Sequence, residues 1–177
     1  LNTSDAGAIY CGRDWTMGGT VIRENTISEL GQASHHHNWA IYLDDLASGI
    51  SVVNNHIEDS PSGILIGGGR FNQISNNTIK NCPFASIVYD ARGYDDWFKQ
   101  HLVDRELSLW PRLNAVPFNQ APWSERFPWL QEIHGDDPAI PRGAEIKNNQ
   151  IISSAPPKIH DKVFEYGQVD IKTKNTN

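Results

Sequence analysis

Cysteine is scarce in this chain, and so is charge. Cys11 and Cys82 are the two cysteines. They fall at different phases of the repeat described below, and are read as small buried thiols, with a disulfide left as the alternative. No basic stripe is present and the net charge is −6, which argues against a nucleic-acid partner and leaves neutral or cationic ligands open. No segment approaches the length of a membrane span, so no membrane partner is expected. The first residues, Leu1-Asn2-Thr3-Ser4, lack the pattern of a signal peptide. They lead almost directly into a repeat strand, so the chain is expected to be a piece of a longer repeat protein. No phosphate loop, zinc motif or nucleophile elbow occurs, and Gly67-Gly68-Gly69-Arg70 lacks the context of a dinucleotide fingerprint. Neither a metal nor a cofactor is expected.

A repeat is what the sequence does contain. Four runs end in asparagine followed two residues later by isoleucine: Asn25/Ile27, Asn55/Ile57, Asn77/Ile79 and Asn149/Ile151. Between them recur Ala8-Ile9-Tyr10, Ala40-Ile41-Tyr42, Gly63-Ile64-Leu65 and Ser86-Ile87-Val88. Ile41, Ile64 and Ile87 are spaced by 23 residues and Asn55 and Asn77 by 22, while Ile9 and Ile41 are 32 apart. Short strands with Gly and Asn punctuation, at this period and with no long helix between them, fit a parallel β-helix. The expected fold is therefore all-β, one solenoid domain over 1–177, with coils about 4.8 Å apart. Alternation turns Ile9, Ile41, Ile64 and Ile87 inward, with Cys11, Leu43, Ile66 and Tyr89 two residues on. Tyr10, Tyr42, Leu65 and Val88 point outward. Asn25, Asn55, Asn77 and Asn149 share one position and are read as a stacked structural ladder at a turn, in left-handed geometry.

The fourth coil is interrupted. Ile87 and Asn149 are 62 residues apart, against 13 for Ile64 and Asn77, which places an insert at about 91–143. Asp95-Asp96 should cap a helix patterned by Trp97, Phe98, Leu102, Val103, Leu107, Leu109 and Trp110, which Pro111 should end. A Pro- and Trp-rich stretch follows, in which Ser124 opens a short second helix. Such inserts lie over one face of a solenoid. Their aromatics either pack on its flank or, as with Trp123, form a wall for sugar rings.

Chemistry is expected on the outward edge. Three residues past each inward isoleucine stand Gly12, Asp44, Gly67 and Asp90. Asp44 and Asp90 then lie roughly 9–10 Å apart, two strand spacings, across a bare floor of Gly67, Gly68 and Gly69. Asp14 and Asp45 form a competing pair on adjacent coils. Two carboxylates about 5–9.5 Å apart suit the acid and base of a glycosidase, and mutual repulsion would raise one pKa. Asp and Gly also end strands and form turns, so turn chemistry is the competing reading of each Asp. Arg13 and Arg70 are candidates to orient carboxylates or bind hydroxyls, and Tyr10 and Tyr42 to stack or hydrogen-bond. In His35-His36-His37, His37 is read as a hydrogen-bonding residue at a cleft edge; no matched spacing supports a metal.

The strings Asp5-Ala6-Gly7-Ala8-Ile9-Tyr10-Cys11-Gly12-Arg13-Asp14-Trp15, Ala40-Ile41-Tyr42-Leu43-Asp44-Asp45 and Gly67-Gly68-Gly69-Arg70, with Ala115-Val116-Pro117-Phe118 and Pro122-Trp123-Ser124-Glu125-Arg126-Phe127-Pro128 in the insert, resemble right-handed parallel β-helix proteins of bacterial carbohydrate metabolism. Within these, the similarity is to glycoside hydrolase family 141-like proteins, which include fucosidase and xylanase activities. It covers about residues 5–152. The resemblance implies a pectin-lyase-like fold, acidic catalytic residues, a polysaccharide or oligosaccharide substrate, and an extracellular or periplasmic setting. Catalytic candidates are Asp14, Asp44, Asp45 and Asp90. A polysaccharide lyase and a non-catalytic carbohydrate-binding module remain the alternatives. Open coil ends expose unpaired strands, so self-association through them is also expected.

Overall fold

The computed structural model describes residues 4–31 and 37–171. Its strands recur in threes. The first coil holds β1 (Ala6–Gly12), β2 (Val21–Arg23) and β3 (Thr26–Ser28). The second holds β4 (Asn38–Asp44), β5 (Ser51–Val53) and β6 (His56–Glu58), and the third β7 (Ser62–Ile66), β8 (Gln73–Ser75) and β9 (Thr78–Lys80). The fourth starts with β10 (Ala85–Tyr89). It passes through a 3₁₀ turn (Arg92–Tyr94) and helices α1 (Asp96–Val103), α2 (Leu109–Asn114), α3 (Trp123–Arg126) and α4 (Trp129–Glu132). It then closes with β11 (Glu145–Lys147) and β12 (Gln150–Ile152). Last come β13 (Lys158–Ile159), α5 (Asp161–Tyr166) and β14 (Gln168–Val169). Equivalent strands pair in parallel, coil on coil, in three sheets: β1-β4-β7-β10-β13, β14-β11-β8-β5-β2 and β12-β9-β6-β3. The architecture is a parallel β-helix.

Register follows the isoleucine spacing. Ile9 pairs with Ile41, Ile41 with Ile64 and Ile64 with Ile87. Ile22, Val52, Ile74 and Ile146 stack in the second sheet, and Ile27, Ile57, Ile79 and Ile151 in the third. These side chains form one continuous core with Leu43, Ile66 and Tyr89. Both cysteines are free thiols. Cys82 belongs to this core and Cys11 packs against it. Tyr42 and Leu65, on the opposite face of the first sheet, are buried too, in a separate apolar layer with Trp39 and Ala85.

The asparagines form a ladder through the turn between the second and third sheets. Each side-chain oxygen accepts twice from the coil before it, from the backbone N–H and from the amide Nδ2. Asn55 accepts from Asn25 at 3.1 and 2.9 Å, Asn77 from Asn55 at 3.0 and 2.9 Å, and Asn149 from Asn77 at 3.0 and 2.9 Å. The left-handed geometry expected of these asparagines belongs to the residues before them: Glu24, Asn54, Asn76 and Asn148 have φ of 56–57°. A second left-handed set, Glu29, Asp59, Asn81 and Ser153, follows five residues later. The ladder residues are thereby left with both amide groups facing the stack.

The insert carries its own core. Phe98, Leu109, Trp110, Leu113, Trp129, Leu130 and Ile133 pack together, and Trp15 and Leu46 join them from the turns after β1 and β4. Trp15 meets Trp110 edge-on at 4.8 Å, and Phe71, after β7, stacks on Trp129 at 5.3 Å. The insert is therefore docked across the turns that follow the first sheet in three coils. The single helix expected to run to Pro111 is two. α1 stops at Val103, and Pro111 is the third residue of α2, where its missing N–H has no intrahelical partner to lose.

The ladder makes a graded prediction. Asn77→Ala strands the buried Asn55 N–H and removes the Nδ2 bonds to the Val52 carbonyl and to Asn149 Oδ1, each at 2.9 Å. At about 1–3 kcal/mol for the unsatisfied N–H and about 1 kcal/mol for each lost hydrogen bond, urea denaturation should show a loss of about 2–5 kcal/mol. Asn25→Ala, which strands no donor of another coil, should cost under about 1 kcal/mol by the same reasoning. Equal losses would contradict the ladder's role.

Candidate functional site

Parallel register brings the ends of four strands to one edge. Gly12 pairs with Asp44. The pairing of Leu43 with Ile66 and of Ile66 with Tyr89 puts Gly67 and Asp90 next in the same row. Asp44 and Asp90 thus flank Gly67, as their spacing requires. The floor between them is not bare, because the guanidinium of Arg92 lies on it. A Cβ on Gly67 would sit 2.4 Å from Arg92 Cζ, and one on Gly68 would sit 2.4 Å from Leu46 Cδ2. Gly69 has φ 82°, and a Cβ there would meet the Ala47 carbonyl oxygen at 2.2 Å. Each glycine of the triplet makes room for a neighbour.

Arg92 gathers three carboxylates. Its Nε donates to both oxygens of Asp90, at 3.2 and 3.1 Å, and its Nη2 to Asp90 Oδ2 at 2.8 Å. Nη1 donates to Asp45 Oδ1 at 3.0 Å and also to Asp44 Oδ1. Asp45 Oδ2 accepts from Arg13 Nε at 2.5 Å, and Asp44 Oδ2 from the Tyr10 hydroxyl at 2.9 Å. Tyr10 is 55% exposed and stands edge-on to the Tyr42 ring at 5.2 Å. Tyr42 itself donates to Asp5 Oδ1 at 3.1 Å.

The adjacent carboxylates titrate in opposite directions. Burial raises the Asp44 pKa and the charge of Asp45 raises it further, more than the Tyr10 hydrogen bond and Arg92 lower it. Burial also acts to raise Asp45, but the hydrogen bonds and charges of Arg13 and Arg92 together outweigh it and hold Asp45 below the usual carboxylate range. Burial and the bond to Asp44 push the Tyr10 hydroxyl up to about 12.

The other candidates lie at varying distances from this cluster. Asp14 holds its own turn: Oδ1 accepts from the Thr16 N–H at 2.8 Å and the Thr16 hydroxyl at 2.7 Å. Its Oδ2 is 3.9 Å from Arg112 Nη1, and Arg112 also donates to the Gly12 and Arg13 carbonyls. Arg70 is fully buried and turned away from the cluster into the insert, where Nη1 meets Asp136 Oδ2 at 3.1 Å. That places it at the insert's return rather than at the edge. His37 begins the turn into β4, at the opposite end of that strand from Asp44, and lines a cleft with Trp39, Phe84 and Lys158. His35 and His36 lie outside the described residues. Trp123 lines a cleft between the insert and Gly18-Gly19. The residue that the sequence reasoning passed over is Arg92. Its signal was its place two residues after Asp90, above a glycine in the coil beneath.

The ion network can be tested through stability. The lowered Asp45 pKa means that its contribution is full above the ordinary value near 3.8 and is lost as the pH falls through the folded-state value below it. Asp45→Asn should therefore cost about 3 kcal/mol near neutrality, and the difference from wild type should shrink below that ordinary value. A difference that does not change with pH would contradict the ion pairing. Gly67→Ala should also destabilise, but not in an Arg92→Ala background. Additive costs would show that the glycine does not serve Arg92.

Residues 4–95 match the family described as the right-handed β-helix region. Comparison with curated proteins and with solved structures gives no match. Matched coils with strictly parallel register, an inward isoleucine row and an asparagine ladder agree on one conclusion: the chain belongs to the right-handed β-helix family, and its fold is a right-handed parallel β-helix.

Proposed function

We propose that the protein is carbohydrate-active and hydrolyses a glycosidic bond along the Tyr10–Asp44 edge. The carrying observation is that neighbouring carboxylates occupy opposed environments. Asp44 has one oxygen on an exposed tyrosine hydroxyl and the other on a single guanidinium, that of Arg92, while Asp45 is held between the two guanidinium groups of Arg13 and Arg92. A pair of groups with pKa values pushed apart is the arrangement that separates acid from base. Asp44, kept toward its protonated form, is the proton donor to the leaving oxygen. Asp14, whose Oδ2 is only loosely engaged by Arg112, is the carboxylate left to activate water or attack. Asp45 and Asp90 are the counter-ions that fix Arg13 and Arg92. The strings that resemble glycoside hydrolase family 141 support the same reading.

A second reading has its own observation. Arg13 and Arg92 engage three of the four carboxylates, which suits an edge that binds sugar hydroxyls without turning them over. A lyase would act on a uronate and release an unsaturated product.

Asp44→Asn should lower the release of reducing ends from a susceptible glycan by about 10²–10⁴-fold. Wild-type turnover should fall as the pH rises through the raised Asp44 pKa, because the donor loses its proton. Ultraviolet-absorbing products would replace this reading with a lyase, and glycan binding without products would replace it with a binding module. Turnover unchanged in both Asp44→Asn and Asp14→Asn would overturn it outright.

A further inference from the structure

A second concave surface lies between the first coil and the insert. Gly18 and Gly19 form its floor, and Pro122, Trp123, Arg126 and Phe127 form its walls, enclosing about 310 Å³. That volume falls in the range of small-molecule sites. The glycine floor is a packing requirement. A Cβ on Gly18 would meet the Phe127 ring at 2.6 Å, and Gly19 has φ 85°. Trp123 and Phe127 sit 5.6 Å apart and tilted by 54°, so one wall is aromatic and half-buried. Trp110 and Trp129 are buried in the insert's core, whereas Trp123 packs against that core only partly buried and also lines the open cleft.

The charge in this cleft is uncompensated. Arg126 lies 5.4 Å from the centroid of the Phe127 ring. It makes no ion pair among the described residues, as is also true of Arg23 and of Arg105, which lies over the Trp110 ring, whereas Arg13, Arg70, Arg92, Arg112 and Arg142 each face a carboxylate. An exposed guanidinium beside an aromatic wall recognises a carboxylate held on a ring: the fork bonds the anion while the ring lies against the indole. Gly18 follows four residues after Asp14 on one loop.

We infer that this cleft is a subsite for an acidic sugar, a uronate residue of the glycan, with Trp123 as its stacking face and Arg126 as its carboxylate partner. The inference rests on the reading above in taking the ligand to be a saccharide, and is separable from it because the test reads binding rather than turnover.

The test titrates the full chain, by calorimetry and tryptophan fluorescence, with three probes at one ionic strength. They are a glucuronate-bearing oligosaccharide, its neutral counterpart of the same length, and benzoate. The acidic saccharide should bind at least about tenfold more tightly than the neutral one, as one charge-assisted hydrogen bond allows. Arg126→Gln should abolish that preference, and Trp123→Ala should weaken both saccharides while Trp123→Phe keeps them. Arg126 is exposed and is drawn on by no ion pair, so its replacement leaves the packing intact. Equal binding of the two saccharides, a preference that survives Arg126→Gln, benzoate binding as tightly as the acidic saccharide, or binding of neither saccharide would each overturn the subsite. Asp44→Asn separates the two proposals. If it abolishes turnover and keeps the charge preference, both stand. If turnover is unaffected while the preference persists, the catalytic assignment fails and the subsite stands.

Discussion

Parallel, in-register stacking of one coil on the next is the constraint on which the rest of the molecule depends. It fixes isoleucine over isoleucine in the core, and at the same time brings the ends of successive strands to a common edge. A slip of one residue would turn every inward side chain outward. The asparagine ladder guards against that slip, because each side-chain oxygen is shared between the backbone and the amide of the coil before it. Burial inside the turn makes those bonds costly to break, since no water can replace them.

The insert acts on this regular scaffold at one place. Its aromatic core is seated on Trp15 and Leu46, which stand on the turns after β1 and β4. Its first residues deliver Arg92 to the Asp44–Asp90 row. Leu46 has room because Gly68 lacks a side chain, and Arg92 has room because Gly67 does. The glycine triplet of the third coil is thus the shared seat of the insert and of the ion network. At the far side Arg70, Arg142 and Asp136 tie down the return of the chain. The cluster at the edge is consequently a joint product of coil and insert.

Much of the fold was legible because a repeat converts spacing into position. The 23-residue interval of Ile41, Ile64 and Ile87 placed the core, and the same interval placed Asp44 and Asp90 two coils apart. What spacing could not carry was long-range side-chain traffic. Nothing local tells that Arg92 returns across Gly67, that Arg70 leaves the edge for Asp136, or that Tyr42 and Leu65 are covered although they face out of the coil. The left-handed turn residue was misplaced by one position, because asparagine suits both that conformation and the ladder. Pro111 looked like a helix end, but a proline is equally suited to a first turn. The sequence pattern could name the aromatic insert without sorting Trp110 and Trp129, which are core, from Trp123, which packs on that core half-buried, and Trp97, which is exposed.

The central claim is that two guanidinium groups, Arg13 of the first coil and Arg92 of the insert, hold Asp45 in a state unlike that of its neighbour Asp44, which shares only Arg92. It is most directly tested by following the side-chain carboxyl carbons of Asp44 and Asp45 by NMR as the pH is varied. Asp44 should titrate above the ordinary aspartate value near 3.8 and Asp45 below it. In Arg92→Gln the Asp45 transition should move up, because a guanidinium that lowers it has gone. Coincident titration of the two groups at the ordinary value, unchanged by Arg92→Gln, would contradict the account.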